Sequence, residues 1–249
     1  METLTSKAIE KAKKDGVASL IREGIPWTYR RVQKRIRRTQ VNVRNPISIT
    51  QGGGYYQKQR KEGTKMRYEI IDTEMETCSS VLDIGCNLGI LTSMIGESGR
   101  FAVGVEKNPK AVKNAYYYHN DNDLSNFSIM NKEVTAENIQ SFPQFDYVTL
   151  FSVYHQMYKY MGERKAERLL NKIVGVARKK VFFEAAGQKS KYGDENLSFT
   201  DFDEDSIVEY NSEMLKTAID CEVEIKYLGS IPRRHTVEGE RYLFEVNKV

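Results

Sequence analysis

Cysteine is scarce in this chain, and what there is lies far apart. Cys78, Cys86 and Cys221 are the only three among 249 residues, an odd number with no CxxC pair, so neither a disulfide framework nor a zinc site is indicated and three reduced thiols are expected. Long apolar runs are missing too. No stretch of about 18 or more apolar residues occurs, which argues against a membrane-spanning helix, and the N-terminus lacks an apolar segment followed by a small-residue cleavage site. A soluble, cytoplasmic protein is the expectation. Internal repeats and low-complexity segments are absent as well, and the length suits one sizeable α/β domain with its own core without requiring a second.

Acidic residues are thin at one end. Residues 1–44 hold twelve Lys or Arg against Glu2, Glu10, Asp15 and Glu23, a net of +8, and since the whole chain carries +4 the remainder carries −4. A basic arm on a mildly acidic body fits an anionic partner such as nucleic acid, a lipid surface or a phosphorylated glycan, although a solvated helix face has the same composition. Two helices are predicted in the arm, at 5–23 and 26–38, separated by Gly24. In the second, Trp27, Tyr29, Val32 and Ile36 form a narrow apolar stripe among basic residues. Such a helix can lie peripherally on an anionic membrane or dock Trp27 on its own domain, and docking is the favoured reading. Asn45-Pro46 and the glycine run 52–54 mark a boundary between an N-terminal extension, 1–50, and a catalytic domain, 51–249, although 47–50 alternates as a short strand.

Beyond the boundary, apolar strand-like runs alternate with helical patterns, which predicts a mostly parallel sheet covered on both faces. Strands are expected at 81–84, 101–105, 127–130, 147–151, 180–184, 222–228 and 242–246, and helices at 65–77, 90–97, 109–120, 163–178 and 204–219. Helices thus separate the strands except at the end, where the connection is short enough for an antiparallel hairpin and too short for a helical crossover.

The richest stretch is VLDIGCNLGILT, residues 81–92, in which a buried-strand pattern runs into a glycine turn and then a helical pattern. In a parallel α/β sheet a ligand lies beyond the C-terminal end of a strand, where glycines permit the turn and a close backbone approach. A second strand ends in Glu106, seventeen residues beyond Gly89, and an acid there can accept hydrogen bonds from both ribose hydroxyls of an adenosine ligand. A dinucleotide site would share that logic, but the GxGxxG phosphate turn is replaced by Gly85-Cys86-Asn87-Leu88-Gly89. Asp83 would repel a pyrophosphate and suits a cationic ligand.

On these residues the chain resembles the class I S-adenosylmethionine (SAM)-dependent methyltransferases, whose first motif reads (D/E)xGxxxG; Asn87 stands where many members have a middle glycine. The resemblance runs from about residue 54 to the C-terminus and includes the closing hairpin. It implies a Rossmann-like, seven-stranded, mostly parallel α/β sheet with an antiparallel terminal hairpin, and SAM as cofactor. By position, Asp83, Gly85, Asn87 and Gly89 would line the methionine side, Glu106 and Lys107 the ribose and adenine, and Phe151 would stand beside them at the end of the fourth strand. Tyr55, Tyr56 and Arg60, just after the glycine run, would fold over the ligands, the tyrosines toward the substrate and Arg60 toward the methionine carboxylate.

Methyl transfer is an in-line displacement, so the enzyme must mainly position the acceptor and exclude water. The end of the fourth strand, TLFSVYHQM at 149–157, has neither the D/N-P-P-Y/F motif of many amine methyltransferases nor a Pro-Cys nucleophile. His155 is the best base candidate there, since imidazole titrates near neutrality; orienting or capping is the alternative role. The fifth strand adds Glu184 as a second catalytic candidate, and Lys189, Lys191 and Tyr192 could hold an anionic acceptor, or simply form a basic loop. His119 and His235 are expected at the surface, and Tyr116-Tyr117-Tyr118 within helix packing. SVYHQM, the helix beginning at Glu163 and FFEAAGQKSKYG resemble the methyltransferase domain of polysaccharide chain-terminating enzymes, and the GCNLG turn with its tyrosine-rich lead-in resembles RNA-capping methyltransferases of the bicoid-interacting type. The reading is a methyltransferase acting on an oxygen of a glycan, a glycolipid-linked sugar or its phosphate, without a metal. The rivals are an RNA methyltransferase that holds RNA with the basic arm, and a SAM-binding module without catalysis.

Overall fold

A computed structural model describes residues 54–119, 126–185, 203–232 and 240–249, with the side chains of 54–60 and of Tyr117 excepted. The expected arm helices and the strand at 47–50 lie outside the described residues. From Tyr55 onward the chain forms one compact unit. Its elements are α1 (Gly54–Asp72), β1 (Ser80–Ile84), α2 (Ile90–Glu97), β2 (Phe101–Glu106), α3 (Pro109–His119), β3 (Phe127–Asn131), β4 (Phe145–Leu150), α4 (Tyr154–Met161), α5 (Glu163–Val176), β5 (Ala177–Glu184), α6 (Glu204–Ala218), β6 (Val223–Pro232) and β7 (Glu240–Lys248).

The seven strands form one sheet in the order β3-β2-β1-β4-β5-β7-β6. The first five are mutually parallel, while β7 runs antiparallel to both β5 and β6, so the predicted closing hairpin is present. Strand progression reverses at β1, which pairs with both β2 and β4. A crevice forms at such a switch point because the connections leave in opposite directions, and it opens at the C-terminal strand ends.

Near-continuous apolar runs make the central strands, since both sheet faces are covered. On one face Leu82, Val148, Leu150, Val181 and Phe183 pack with Leu169 and Ile173 of α5 and Leu215 of α6. On the other, Val81, Tyr147, Phe182 and Leu243 meet Ile71 of α1 and Leu91 and Ile95 of α2. Phe182 and Phe183, adjacent and fully buried, point to opposite faces, and burying each such side chain contributes roughly 2–3 kcal/mol. Polar residues that share the α1–α2 face are therefore informative; Asp83, Thr149 and Glu184 are all buried.

Arg100 fixes the end of α1. Its guanidinium donates to the carbonyls of Asp72, Met75 and Glu76 at 3.1, 2.7 and 2.9 Å and to Asp72 Oδ1 at 2.6 Å, supplying partners for the carbonyls that a helix end leaves open. Three expectations need correction. The first helix spans Gly54–Asp72 rather than 65–77, beginning inside the glycine run taken as a boundary. A helix at Tyr154–Met161 was not predicted; it has no side-chain N-cap bond and stops at Gly162, whose φ is 82°. Between β3 and β4 the described crossover contains only a 3₁₀ turn, Ile139–Ser141, in place of a separating helix.

Candidate active site

The turn leaving β1 has no room for a side chain at either of its glycines. Gly85, Asn87 and Gly89 have φ of 76°, 54° and 66°, a left-handed conformation that glycine enters freely and asparagine tolerates better than most. A Cβ on Gly85 would stand 2.5 Å from Val153 Cγ2, and one on Gly89 2.2 Å from Ile129 Cδ1. Both glycines thus serve the protein's own packing as well as the turn. The amides of Gly85 and Cys86 donate to the Val105 carbonyl at 2.7 and 3.2 Å, and that of Asn87 to Glu106 Oε2 at 3.0 Å. The second Glu106 oxygen accepts from the Asn108 amide at 2.7 Å. Two main-chain amides therefore aim this carboxylate, and each oxygen retains a lone pair for a vicinal diol.

Asp83 sits beneath the turn, fully enclosed. Thr92 Oγ1 donates to its Oδ2 at 2.7 Å and Thr149 Oγ1 to its Oδ1 at 2.8 Å. Burial raises its pKa above the ordinary carboxylate value, aided by the nearby Glu106 charge and opposed by the two hydroxyls. Such a carboxylate gains from a cation placed close to it. The Cys86 thiol beside it is buried and pushed upward by desolvation and then by the Asp83 and Glu106 charges, which makes it an inert thiol rather than a nucleophile.

His119 corrects an expectation: it is buried, not at the surface. Its Nε2 lies 2.9 Å from the Leu88 carbonyl, and that contact makes Nε2 the protonated donor. Desolvation lowers its pKa, so the ring stays neutral. The imidazole packs edge-on against Tyr118 and Phe127 and ties α3 to the turn.

The end of β4 joins this cradle to a cleft. Val153 closes against Gly85, and the next residues, Tyr154 and His155, line a cleft with Tyr158, Glu163, Tyr210 and Asn211. Tyr154 packs edge-on against Phe183, and burial first, then the Glu167 charge, raises its phenol pKa; it stays a proton donor. Glu184 faces away from this cleft. Ser152 Oγ and Arg241 Nη1 donate to its Oε1 at 2.6 and 2.7 Å, and Arg67 Nε donates to Oε2. Burial by itself would raise its pKa, but the two guanidiniums and the hydroxyl hold it at about 2. A carboxylate bound by three donors and this weakly basic takes no proton near neutrality, an arrangement that does not suit Glu184 to act as a base.

The methyltransferase-domain family matches residues 82–183, from the middle of β1 to the end of β5. Over that segment, less than half of the chain, the sequence is similar to a methyltransferase domain. No curated protein matches the chain in sequence. Among solved structures, the bifunctional kinase-methyltransferase WbdD is similar with a TM-score of 0.56 at 19% identity, over 76% of this chain and 39% of WbdD. The chain therefore spans about two fifths of that protein's length. Magnesium protoporphyrin IX methyltransferase (ChlM) from Synechocystis PCC 6803, with bound SAM, is similar at 14% identity and TM-score 0.54, over 100% of this chain and 99% of that one. The N-terminal domain of EvdMO1, with S-adenosylhomocysteine (SAH) bound, has a TM-score of 0.50 at 13% identity, over 76% and 81%. At these identities the likeness is one of fold.

The residues present fit S-adenosylmethionine by chemistry: Glu106 suits the ribose diol, Asp83 a cationic methionine group, and the left-handed turn brings main chain to the crevice. The structure brings Asp83, Gly85, Asn87, Gly89 and Glu106 together, with His155 two residues beyond the Val153 contact. Other assignments fare differently. Lys107 is exposed and lies 3.5 Å from Glu133, while Phe151 is buried in the apolar cluster with Ile71 and Phe182, the placement of a packing residue. Tyr55, Tyr56 and Arg60 lie in the early turns of α1 with side chains outside the described residues, as do Lys189, Lys191, Tyr192 and His235 entirely. Among the described residues no group of three or more His, Cys, Asp or Glu is placed to hold a metal, and no helix is long and apolar enough to cross a membrane. Sequence reasoning missed Arg67, Ser152, Thr149 and Arg241, whose partners are remote in the chain.

Proposed function

We propose that this domain O-methylates a glycan or a glycolipid-linked sugar, or the phosphate it carries. The observation that supports this most is the segment 152–155, in which one residue closes on the cofactor turn and the next two line a cleft of tyrosine rings, carboxylates and an amide. Rings that pack on sugar C–H faces, beside acceptors and donors for hydroxyls, suit a polyhydroxylated acceptor. When bound, SAM would supply an electrophilic methyl group to the acceptor oxygen and would leave as a neutral thioether. The chain's residues do the rest. Glu106 holds the adenosine end and Asp83 balances positive charge; with a sugar hydroxyl His155 takes its proton as the methyl arrives, whereas a phosphate oxygen is already anionic and His155 only orients it. Tyr154, held protonated, orients by hydrogen bonding.

The test is incubation of the protein with labelled SAM and separate glycan, lipid and RNA fractions, repeated with His155→Ala. Label is expected in the glycan or glycolipid fraction, with turnover reduced about 100-fold or more in the variant and SAM affinity unchanged. Label confined to RNA overturns the acceptor class. Undiminished turnover removes His155 from proton transfer.

A further inference from the structure

Two arginines meet one carboxylate at the rim of the sheet. Glu184, the last residue of β5, is fully buried and accepts from Arg67 of α1, Arg241 of β7 and Ser152. Among the described residues the cluster therefore carries a net charge of +1, one guanidinium more than an ion pair needs. An uncompensated, partly desolvated cation is unfavourable unless an anion joins it. Each guanidinium has five N–H groups in a planar fork, and each uses one on Glu184. Both remain partly open, with side-chain exposures of 16% for Arg67 and 17% for Arg241.

The location is as informative as the charge. Ser152 has a φ of 59°, a left-handed conformation that costs a non-glycine residue about 1 kcal/mol or more, and in that conformation its hydroxyl reaches Glu184. The next residue, Val153, is the one that closes on Gly85 of the cofactor turn. Contacts thus run unbroken from the cradle through Val153 and Ser152 to Glu184 and its arginines. Alternation along β5 puts Glu184 on the face shared with Phe182, the same face that carries Asp83 and Thr149. The spare positive charge accordingly stands beside the cofactor cradle, at the C-terminal ends of β4 and β5.

We propose that Arg67 and Arg241 bind an oxyanion, a phosphate or a carboxylate, carried by the methyl acceptor, with Glu184 and Ser152 acting as positioning residues that aim the two forks. The assignment rests on the methyltransferase reading of the cradle. Paired guanidinium forks match the spacing of two oxygens on one phosphorus or carbon, which a lysine cannot reproduce. An acceptor held there by its anionic group would reach across the C-terminal strand ends toward the cleft of His155, which opens on the other face of the sheet.

Titration of the full-length, SAH-loaded protein with inorganic phosphate, and separately with acetate, tests the proposal by calorimetry. Millimolar binding is expected for phosphate and weaker binding for acetate, with phosphate affinity falling at least about tenfold in Arg67→Gln and in Arg241→Gln while SAH affinity stays within about twofold, tenfold being the loss of about 1.4 kcal/mol. Arg241→Lys keeps a charge against Glu184 and removes the fork, so it covers the case in which a glutamine variant does not fold; a fall of at least about threefold is expected for it. Absence of phosphate and acetate binding in the wild type, or binding unchanged in all three variants, overturns the proposal. So does a tenfold loss of SAH affinity in the variants, which would assign the arginines to the cofactor's own carboxylate. A wild-type protein that binds no SAH refutes the cradle reading itself and is separable from the other outcomes.

Discussion

Asp83 is a buried carboxylate whose cost to stability a bound cation would offset. It is enclosed, accepts from two threonine hydroxyls, and has a pKa raised mainly by burial. A folded-state value above the unfolded one means that folding favours the protonated form. The stability this group provides is present at low pH and is lost as pH rises through the folded value. Above that folded value the ionised carboxylate weighs against the fold, and a bound cation relieves it. Asp83→Asn should raise the thermal midpoint of the cofactor-free protein by a few degrees at pH 8, with the advantage shrinking on acidification. The same variant should bind SAM roughly tenfold more weakly, the factor that about 1.4 kcal/mol of lost charge interaction gives. Wild-type affinity for SAM should also fall as the pH drops, and the variant's should not. Calorimetry across pH 5–8 reads both; a variant with undiminished affinity would remove Asp83 from the cofactor's surroundings.

The turn between β1 and α2 is the element on which the cradle depends. Alanine at Gly89 would take a left-handed φ and place a methyl 2.2 Å from Ile129 Cδ1. The conformational part costs about 1–2 kcal/mol and the overpacking about 1–3 kcal/mol more. Gly89→Ala should therefore lower stability by roughly 2–5 kcal/mol in a denaturant melt, whereas Asn87→Gly should stay within about 1 kcal/mol, because glycine occupies that φ more readily than asparagine. An unchanged Gly89→Ala midpoint would mean that the turn relaxes freely. This element also shows what a sequence can disclose. Strand, turn and helix follow from local pattern, and so do Asp83 and Glu106 at two strand ends. The hairpin of β6 and β7 is legible because its connection is too short for a helix. What stays hidden is set by contacts remote in sequence: His119 holds the Leu88 carbonyl across 31 residues, Arg67 meets Glu184 across 117, and Arg241 meets it across 57. None leaves a periodic trace. The helix α4 escaped for a local reason, since its start carries no side-chain cap and it is only 8 residues long.

At the scale of the whole molecule, charge is divided by sequence position: residues 1–44 carry +8 and the remainder −4. The helix predicted at 26–38 combines an apolar stripe of Trp27, Tyr29, Val32 and Ile36 with basic residues around it. If that stripe docks on the protein's own domain, as its narrowness favours, the basic residues are left for solvent and an anionic surface. The chain contains its own reporter, because Trp27 is the only tryptophan. Docking predicts a blue-shifted emission in the protein alone, unaltered by salt or by vesicles. Attraction to an anionic surface is a separate quantity and weakens steeply with ionic strength. Sedimentation with vesicles containing phosphatidylglycerol should show binding at low salt that is lost at high salt, and replacing Arg30, Arg31, Lys34, Arg35, Arg37 and Arg38 by glutamine should abolish it without altering SAH affinity. A solvent-like Trp27 emission that shifts to the blue only when vesicles are added would instead place the stripe in the lipid interface. Salt-sensitive binding to RNA in the absence of any binding to vesicles would turn the arm toward nucleic acid.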